Sequence, residues 1–348
     1  MIINKLLPFC FLLIGSAAFA QQADMSLIPY RQGDKWGYST PDRKIVINPK
    51  YSEANWFSEG YASVRLGNKY GYINKTGQLV IPAKFTVAKP FRKGYIPNAK
   101  KEGGDSVLFA GASLVTSGEE ICIDTKGIRL FKCPAINENS IIENARPLAT
   151  VVTEKNYSLP NSNGLFDKIV DDYKIAGSDE TYYIAIKNNQ YAVFNSKFDT
   201  IIPFQFSSIK MNHKAAVPYL EVNRAGMYGI LMTDGKTAIA PEYSKLTAID
   251  GPGGKEYFII GKDGKAYLRD ITNKDIIPNG FTDIVYDNGG FIIKADNNMV
   301  GYYSADNGMI QPKYVDIKPV NGTKYLLIKT FNGKTGYINT AGEEYFVE

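Results

Sequence analysis

The feature that most constrains the fold of this chain is a short motif that recurs along its length. The best copies run from a Trp-Gly or Tyr-Gly step through Tyr-Ile-Asn and a turn with glycine to Val-Ile-Pro. Aligned on the position of the step glycine, nine copies have their anchors at 37, 71, 121, 156, 192, 229, 266, 301 and 336. The spacing is 34–37 residues, apart from one interval of 50. A period of this kind predicts a repeat array, since arrays grow by adding units.

Each copy is expected to form three short strands. The first is apolar, as in 62–66, and Gly67-Asn68 or Asn188-Asn189 then provides residues that tolerate positive φ in a tight hairpin. The second strand is the Tyr-Gly-Tyr-Ile segment, and the turn 74–77 leads into the third. We expect Pro82 and its equivalents to end that third strand or to mark a sheet edge, because proline has no N–H for a central ladder.

The glycine inside the second strand is expected to meet a need for small size, because Ala192 and Ala266 replace it in two copies. A neighbouring aromatic ring lying over the strand would create such a need. The sequence therefore assigns a structural role to the residues of the best-preserved steps. They are Trp36, Gly37, Tyr38, Tyr70, Gly71, Tyr72, Tyr228, Gly229, Gly301, Tyr302, Gly336 and Tyr337.

On these residues the chain resembles the WG-repeat, or KWG-repeat, proteins. Their units read roughly Gly-Lys-Trp/Tyr-Gly-Tyr-Ile-Asp/Asn, then Gly, Val-Ile-Pro and Gly-x-Ala-x-Val, and Trp36-Gly37-Tyr38 follows that pattern closely. The resemblance covers about residues 27–348. It implies an exported or surface β-repeat protein with a binding role, and it brings no catalytic residues.

The fold class expected is all-β, with about nine tandem three-stranded antiparallel β-meander repeats. Stacked units can form an open β superhelix or a propeller-like ring. No strand is left over at the termini to join the first unit to the last, which favours the open form. We assign repeats 1–3 to 21–135 with an insertion near 92–106, a degenerate repeat to 136–186, and repeats 5–9 to 187–348.

The first 20 residues have the pattern of a cleaved bacterial signal peptide rather than a membrane anchor. Lys5 precedes the apolar run 6–14, and Ala18-Phe19-Ala20 supplies small residues for cleavage. No later run reaches 18 apolar residues, so no transmembrane segment is expected after cleavage. Without Lys5, 39 basic residues face 35 acidic ones, an excess that does not favour nucleic acid. We expect a periplasmic, cell-surface or secreted protein.

The two cysteines that remain, Cys122 and Cys133, are expected to be unbonded. A hairpin turn at 124–127 would set Cys122 opposite Arg129 and Cys133 opposite Gly118. Four residues along a strand span about 13 Å, which is beyond disulfide reach. An exported protein does meet conditions that permit disulfides, so the bonded alternative stays open.

Residues capable of catalysis are sparse. The single histidine, His213, is interpreted as a solvated loop residue, and Gly251–Lys255 lacks the Lys-Ser/Thr ending of a phosphate loop. The acidic cluster Asp167, Asp171 and Asp172 could serve glycoside chemistry or calcium, but a turn or sheet edge is the preferred interpretation. We expect no enzyme, no catalytic residue, no metal and no cofactor.

The insertion is the favoured place for function. Six basic residues and no acid fall between 84 and 101, and Phe91 and Tyr95 are interleaved with them. Insertions in repeat arrays lie in loops that often bind partners, although a solvated loop with Phe91 in the core is the alternative. The candidate partner-binding residues are Lys89, Arg92, Lys93, Tyr95, Lys100 and Lys101.

The sequence therefore predicts a non-enzymatic protein that offers a binding surface to protein partners in the cell envelope. The alternative is binding of a cell-envelope or extracellular polysaccharide. A glycan-active hydrolase is a third and less favoured hypothesis. The identity of the partner and the oligomeric state are left open.

Overall fold

The structure is a computed structural model, and it describes residues 24–98, 101–131, 133–134, 164–175, 179–213, 215, 217–251 and 254–348. The predicted signal peptide, Lys100 and the degenerate copy at Asn156-Tyr157 lie outside these residues. Of the described chain, one compact unit contains 24–28, 38–134 and 321–323, and a second contains 29–37, 164–320 and 324–348. No helix in this part of the chain is long and apolar enough to cross a membrane.

The described strands form seven sheets. The first has the order β29-β1-β2-β3 and the second has the order β10-β9-β7-β6-β5-β4, with β8 paired to β9. Their strands are β1 (Ile28–Gln32), β2 (Lys35–Ser39), β3 (Ile45–Tyr51), β4 (Glu53–Ala54), β5 (Tyr61–Leu66), β6 (Lys69–Asn74), β7 (Leu79–Ala88), β8 (Arg92–Asn98), β9 (Lys101–Leu114), β10 (Glu120–Ile123) and β29 (Phe346–Val347).

The other five sheets are meanders in chain order: β11 to β14, β15 to β18, β19 to β21, β22 to β25 and β26 to β28. Their strands are β11 (Lys168–Lys174), β12 (Thr181–Lys187), β13 (Gln190–Phe194), β14 (Thr200–Phe206), β15 (Ser208–Asn212), β16 (Tyr219–Arg224), β17 (Met227–Met232), β18 (Thr237–Tyr243), β19 (Lys245–Asp250), β20 (Glu256–Lys262), β21 (Lys265–Asp270), β22 (Asp283–Asp287), β23 (Gly290–Lys294), β24 (Val300–Ser304), β25 (Gly308–Tyr314), β26 (Asp316–Pro319), β27 (Tyr325–Lys329) and β28 (Thr335–Asn339).

The predicted all-β class, built from tandem antiparallel meanders, is confirmed. The tight turns also follow the expected chemistry: both Asn188 and Asn189 have positive φ between β12 and β13, as a type I′ hairpin requires. Several sheets have four strands, because a further strand such as β15 precedes the predicted first one. This extra strand lies at the edge of its sheet.

The repeat proline does not end the third strand, because Pro82 lies inside β7 and Pro241 lies inside β18. The alternative expectation, that it marks a sheet edge, is confirmed at Pro241, since β18 is the last strand of its sheet, and is wrong at Pro82, since β7 lies between β6 and β9. The register shows how the ladder avoids these prolines. Tyr70 and Tyr72, two residues apart on β6, oppose Phe85 and Ile81, which are four apart on β7. The extra residues form a bulge over one face of the neighbouring strand, out of line with the ladder, where a missing N–H costs no ladder hydrogen bond.

The same bulge explains the glycine of the central strand. A Cβ at Gly71 would lie 2.5 Å from the carbonyl oxygen of Ile81 and 2.9 Å from the nitrogen of Ala83. At Gly229 and Gly301 the corresponding distances to an isoleucine carbonyl oxygen are 2.6 and 2.4 Å. The requirement for a small residue is therefore confirmed at these positions. The group that would overlap a larger side chain is the bulged backbone of the next strand. At Gly336 an aromatic ring, that of Phe346, fills the space.

Successive repeats meet where a turn glycine of one packs on an isoleucine of the previous one. A Cβ at Gly77 would lie 3.2 Å from the Ile47 side chain, and one at Gly127 would lie 2.7 Å from the Ile81 side chain. Larger contacts join adjacent sheets in the second unit, where one core cluster combines Ile184 and Val193 of β12 and β13 with Leu220 of β16. Each sheet thus completes its core with its neighbour.

The expectation that no terminal strand would join the first repeat to the last repeat is wrong. β29 pairs in parallel with β1, setting Arg31 opposite Phe346 and Gln32 opposite Val347. Glu344 forms an antiparallel bridge with Ile338 of β28, and the two residues of β29 that follow are partners of β1.

The buried side chain of Arg31 reinforces this pairing. Its Nε donates to the carbonyl oxygen of Thr335 at 2.6 Å, Nη1 donates to that of Gly33 at 2.6 Å, and Nη2 donates to Glu348 at 3.1 Å. The guanidinium also lies 5.1 Å from the centre of the Phe346 ring. Hydrogen bonds from Asn332 and then from Arg31 hold the pKa of the Glu348 carboxyl below its usual value. Arg31 therefore connects β1 to both the first residue of β28 and the chain end.

Replacement of the central-strand glycine should destabilise its sheet through backbone overlap. We expect Gly71→Ala to lower the free energy of unfolding by about 1–3 kcal/mol, because the bowed strand must move. The matched control is Gly111→Ala in the same unit, where the new methyl meets only the flexible Lys89 side chain and the cost should be below about 0.5 kcal/mol. Urea unfolding measures both, and equal losses would contradict the proposed cause.

Removal of the Arg31 guanidinium should loosen the pairing of β1 with β29. We expect Arg31→Met to cost about 2–3 kcal/mol, since hydrogen bonds from a buried cation are lost. Lys334→Met is the control, because it removes an exposed pair with Asp34 and should cost less than about 1 kcal/mol. Hydrogen exchange of peptides covering β1 and β29 reports the effect. Unchanged protection in Arg31→Met would show that the side chain does not hold these strands together.

Candidate functional site

The basic insertion folds as a β-hairpin and not as the loop expected from the sequence. β8 pairs antiparallel with the first part of β9, with Arg92 opposite Phe109 and Asn98 opposite Lys101. The later part of β9 pairs with both β7 and β10. The sequence signal that was missed is the apolar stretch 107–110, which follows the basic residues and supplies the second strand.

Strand alternation separates the candidate residues onto two faces. Arg92 shares its face with Phe109, whereas Lys93 and Tyr95 are on the opposite face. The Lys93 side chain is 67% exposed, and its Nζ lies 3.9 Å from a Glu59 carboxylate oxygen. Tyr95 is half-buried. Lys101 lies in β9, and Lys100 is outside the described residues.

Lys89 and Arg92 are the two candidates that the structure brings together. Both line a cavity of about 280 Å³, together with Phe109, Gly111, and the Cys122–Cys133 pair. We call this the hairpin cavity. Its floor follows one face of the sheet, because Phe109 and Gly111 alternate along β9 and Cys122 is the register partner of Gly111. Gly111 has no side chain, and the aliphatic part of Lys89 packs over it, since a Cβ at Gly111 would lie 3.1 Å from Lys89 Cδ.

The cavity has a partly desolvated positive charge at one wall. The Arg92 guanidinium lies 5.0 Å from the centre of the buried Phe109 ring, which favours a cation over its face. Burial lowers the pKa of Arg92 below its usual value, yet a guanidinium stays charged at neutral pH. Lys89 is more exposed, and its Nζ lies 3.8 Å from a Glu120 carboxylate oxygen. The cavity thus combines two cations with one carboxylate.

The expectation that Cys122 and Cys133 are unbonded is wrong. They form a disulfide, with Cα atoms 5.3 Å apart. The predicted turn is present, since Asp124 accepts hydrogen bonds from the backbone of Lys126 and Ile128. However, the ladder that follows it consists of an Ile123–Arg129 bridge and a bond from Leu130 to the Cys122 carbonyl. The distance argument failed because the chain leaves the strand before Cys133 and folds back.

The residues assigned to the repeat lie in or beside the core. Tyr38, Tyr72 and Tyr302 are almost completely buried, whereas Tyr228 is 43% exposed. Trp36 packs edge-to-face against Tyr337 at a centroid distance of 6.0 Å. The burial of Tyr38, Tyr72 and Tyr302 fits the structural role predicted for them, whereas the exposed Tyr228 does not.

The remaining candidates for chemistry do not form a further site. His213 lies 3.6 Å from Asp171, and both side chains are partly exposed. Asp167 accepts a hydrogen bond from the backbone of Asn188 in a turn. Among the residues that the structure describes, no group of three or more His, Cys, Asp or Glu side chains is placed to hold a metal ion.

Comparison with known proteins identifies the repeat. The family model described as WG containing repeat matches residues 36–70 and 70–102, which include the first two central strands and β8. The chain therefore contains two adjacent WG repeats over residues 36–102, in agreement with the resemblance. No curated protein matches the sequence.

Solved structures give only distant likenesses. A crystal structure of the eukaryotic initiation factor has 11% identity over 93% of this chain and 95% of that chain, with a TM-score of 0.34. PorZ, a surface component of the type-IX secretion system of Porphyromonas gingivalis, has 11% identity over 85% of this chain and 37% of that chain, with a TM-score of 0.25. An extracellular domain of a two component system from B. thetaiotaomicron has 11% identity over 92% and 50%, with a TM-score of 0.19. Likenesses this low carry no argument about function.

Proposed function

We propose that this WG-repeat protein is a non-enzymatic binding protein of the cell envelope, and that the hairpin cavity holds an acidic segment of a protein partner. The observation that carries the proposal is the convergence of Lys89 and Arg92 on one cavity. Ala88 pairs with Ala112 and Arg92 pairs with Phe109 as the chain continues in one direction along β9, so the short interruption between them places Lys89 and Arg92 on the same cavity, whereas Lys93 lies on the opposite face.

Charge favours a carboxylate as the group that is bound. With Lys89, Arg92 and Glu120 the cavity carries one net positive charge. Arg92 is half-buried, and a partner's carboxylate would gain more from a partly desolvated guanidinium than from a cation in open water. Arginine also presents a planar fork that matches a carboxylate.

Size and surface favour a protein side chain over a sugar. The cavity of about 280 Å³ is at the lower end of the range for small-molecule sites, so it suits one or two side chains. Phe109, the aromatic residue of its lining, is buried beneath Arg92 and offers no open face for a sugar ring. The polysaccharide alternative therefore has less support here than an acidic peptide segment.

The proposal places the protein outside the inner membrane, and the disulfide supports this location. Structural disulfides persist in oxidising compartments and are rare in the bacterial cytosol. The Cys122–Cys133 pair agrees with the signal-peptide pattern of the first 20 residues, which is an independent observation.

Reversing charge in the cavity should abolish partner capture. We expect Lys89→Glu/Arg92→Glu to reduce recovery of cross-linked envelope partners at least about tenfold, because a like charge then faces the acidic segment. Lys93→Glu is the matched control, since Lys93 lies on the opposite face of the same hairpin. Quantitative mass spectrometry after capture at low and high salt measures recovery. Equal recovery by the wild type and the double variant would refute the site.

Export is tested separately on the chain in its own cells. We expect the protein in the envelope or the medium, with a mature N-terminus at Gln21, because the cleavage pattern ends at Ala20. Cell fractionation with N-terminal sequencing measures both properties. An uncleaved product in the cytosol would overturn the proposed location while leaving the cavity proposal to its own test.

A further inference from the structure

We infer that the Cys122–Cys133 disulfide controls the hairpin cavity, so that the oxidised protein binds a carboxylate-bearing peptide more tightly than the reduced protein does. This inference rests on the proposed function and adds its regulation. It begins from the position of the disulfide, which is part of the cavity wall rather than remote from it.

One side of the wall is fixed by the sheet. Cys122 lies in β10, which pairs with β9 at four consecutive positions from Glu120 to Ile123. Its side chain is buried, with 7% exposure, and lies on the face that carries Gly111. This half of the wall does not depend on the disulfide.

The other side of the cavity wall is formed by Cys133 and Pro134, which lie outside the strands. The hairpin ladder beyond β10 reaches Leu130, whose N–H donates to the Cys122 carbonyl oxygen. Phe131 is then fully exposed, so the chain has left the sheet. Cys133 and the buried Pro134 line the cavity, and within the described residues the disulfide joins this segment to Cys122 of β10. Breaking that bond therefore releases the Cys133–Pro134 wall and leaves β10 in place.

The disulfide is open to a reductant. Cys133 is exposed, so a dithiol can attack its sulfur from solvent. The first thiolate forms a mixed disulfide with Cys133 and expels the Cys122 thiolate, which takes up a proton. The second thiol of the reagent then displaces Cys133, which leaves as a thiol, and the reagent ends as a cyclic disulfide. Lys89 and Arg92 line the same cavity and favour the thiolate that leaves.

Loss of the wall should weaken binding through both solvation and shape. With Cys133 and Pro134 gone, water reaches Arg92 more freely, and its attraction for a carboxylate falls. The cations themselves remain on β8 and beside β7. The expected result is weaker binding in a sheet that is still folded.

The experiment uses the purified processed protein and fluorescence anisotropy of a fluorescein-labelled Glu-rich peptide, with its Gln counterpart as the uncharged control. We expect the oxidised protein to bind the Glu-rich peptide about tenfold more tightly than the dithiol-reduced protein. Cys122→Ser/Cys133→Ser should match the reduced protein and should not respond to the dithiol. Circular dichroism and the thermal midpoint check that the sheets persist in every state.

The outcomes separate the two proposals. If the oxidised protein binds the Glu-rich peptide and Arg92→Gln weakens that binding, but reduction has no effect, the cavity proposal stands and the inference about the disulfide is wrong. If the oxidised protein does not distinguish the Glu-rich peptide from the Gln peptide, the proposed function fails and the inference falls with it. Loss of the β-sheet spectrum on reduction would also refute the inference, because binding would then be lost by unfolding.

Discussion

The rest of the structure depends on the contact between the third strand of one repeat and the turn of the next. No three- or four-stranded sheet can bury both of its faces alone, so each needs a neighbour. The bulge at the repeat proline serves this contact twice. It bows the strand over the glycine of the central strand, and it presents an isoleucine, such as Ile47 or Ile81, to the turn glycine of the following repeat. The Tyr-Gly and Ile-Pro parts of the motif are therefore two sides of one packing requirement.

Where the period breaks, the chain adds a strand pair without disturbing that requirement. Phe91 is completely buried in the core that Tyr72 and Phe85 share, so the start of the insertion still completes the second repeat. β9 then extends beyond the sheet and carries β8. The core positions serve packing, whereas the extension is free to place Lys89 and Arg92 on a cavity. Function is accordingly proposed where the structure departs from its own repeat.

Much of the fold could be predicted because it rests on local chemistry. Asn188 and Asn189 adopt the positive φ that their turn demands, and a period of about 35 residues fixes where the strands recur. The candidate site was predicted less completely. Lys89 and Arg92 belong to one cavity, but Lys93 and Tyr95 lie on the other face, since a run of basic residues does not reveal the strand that separates them. The role of Arg31 was missed, because its partners are more than 300 positions away.

The sequence alone determined the repeat, the β class, the turns and the need for a small residue in the central strand. Each of these follows from contacts within a single repeat. Only the tertiary structure decided that Cys122 meets Cys133, that β29 joins β1, and that two cations line one cavity. These features arise where the chain leaves its ladder or meets a distant segment. Their geometry is set by how far the backbone turns there, and neither residue type nor spacing specifies that turn.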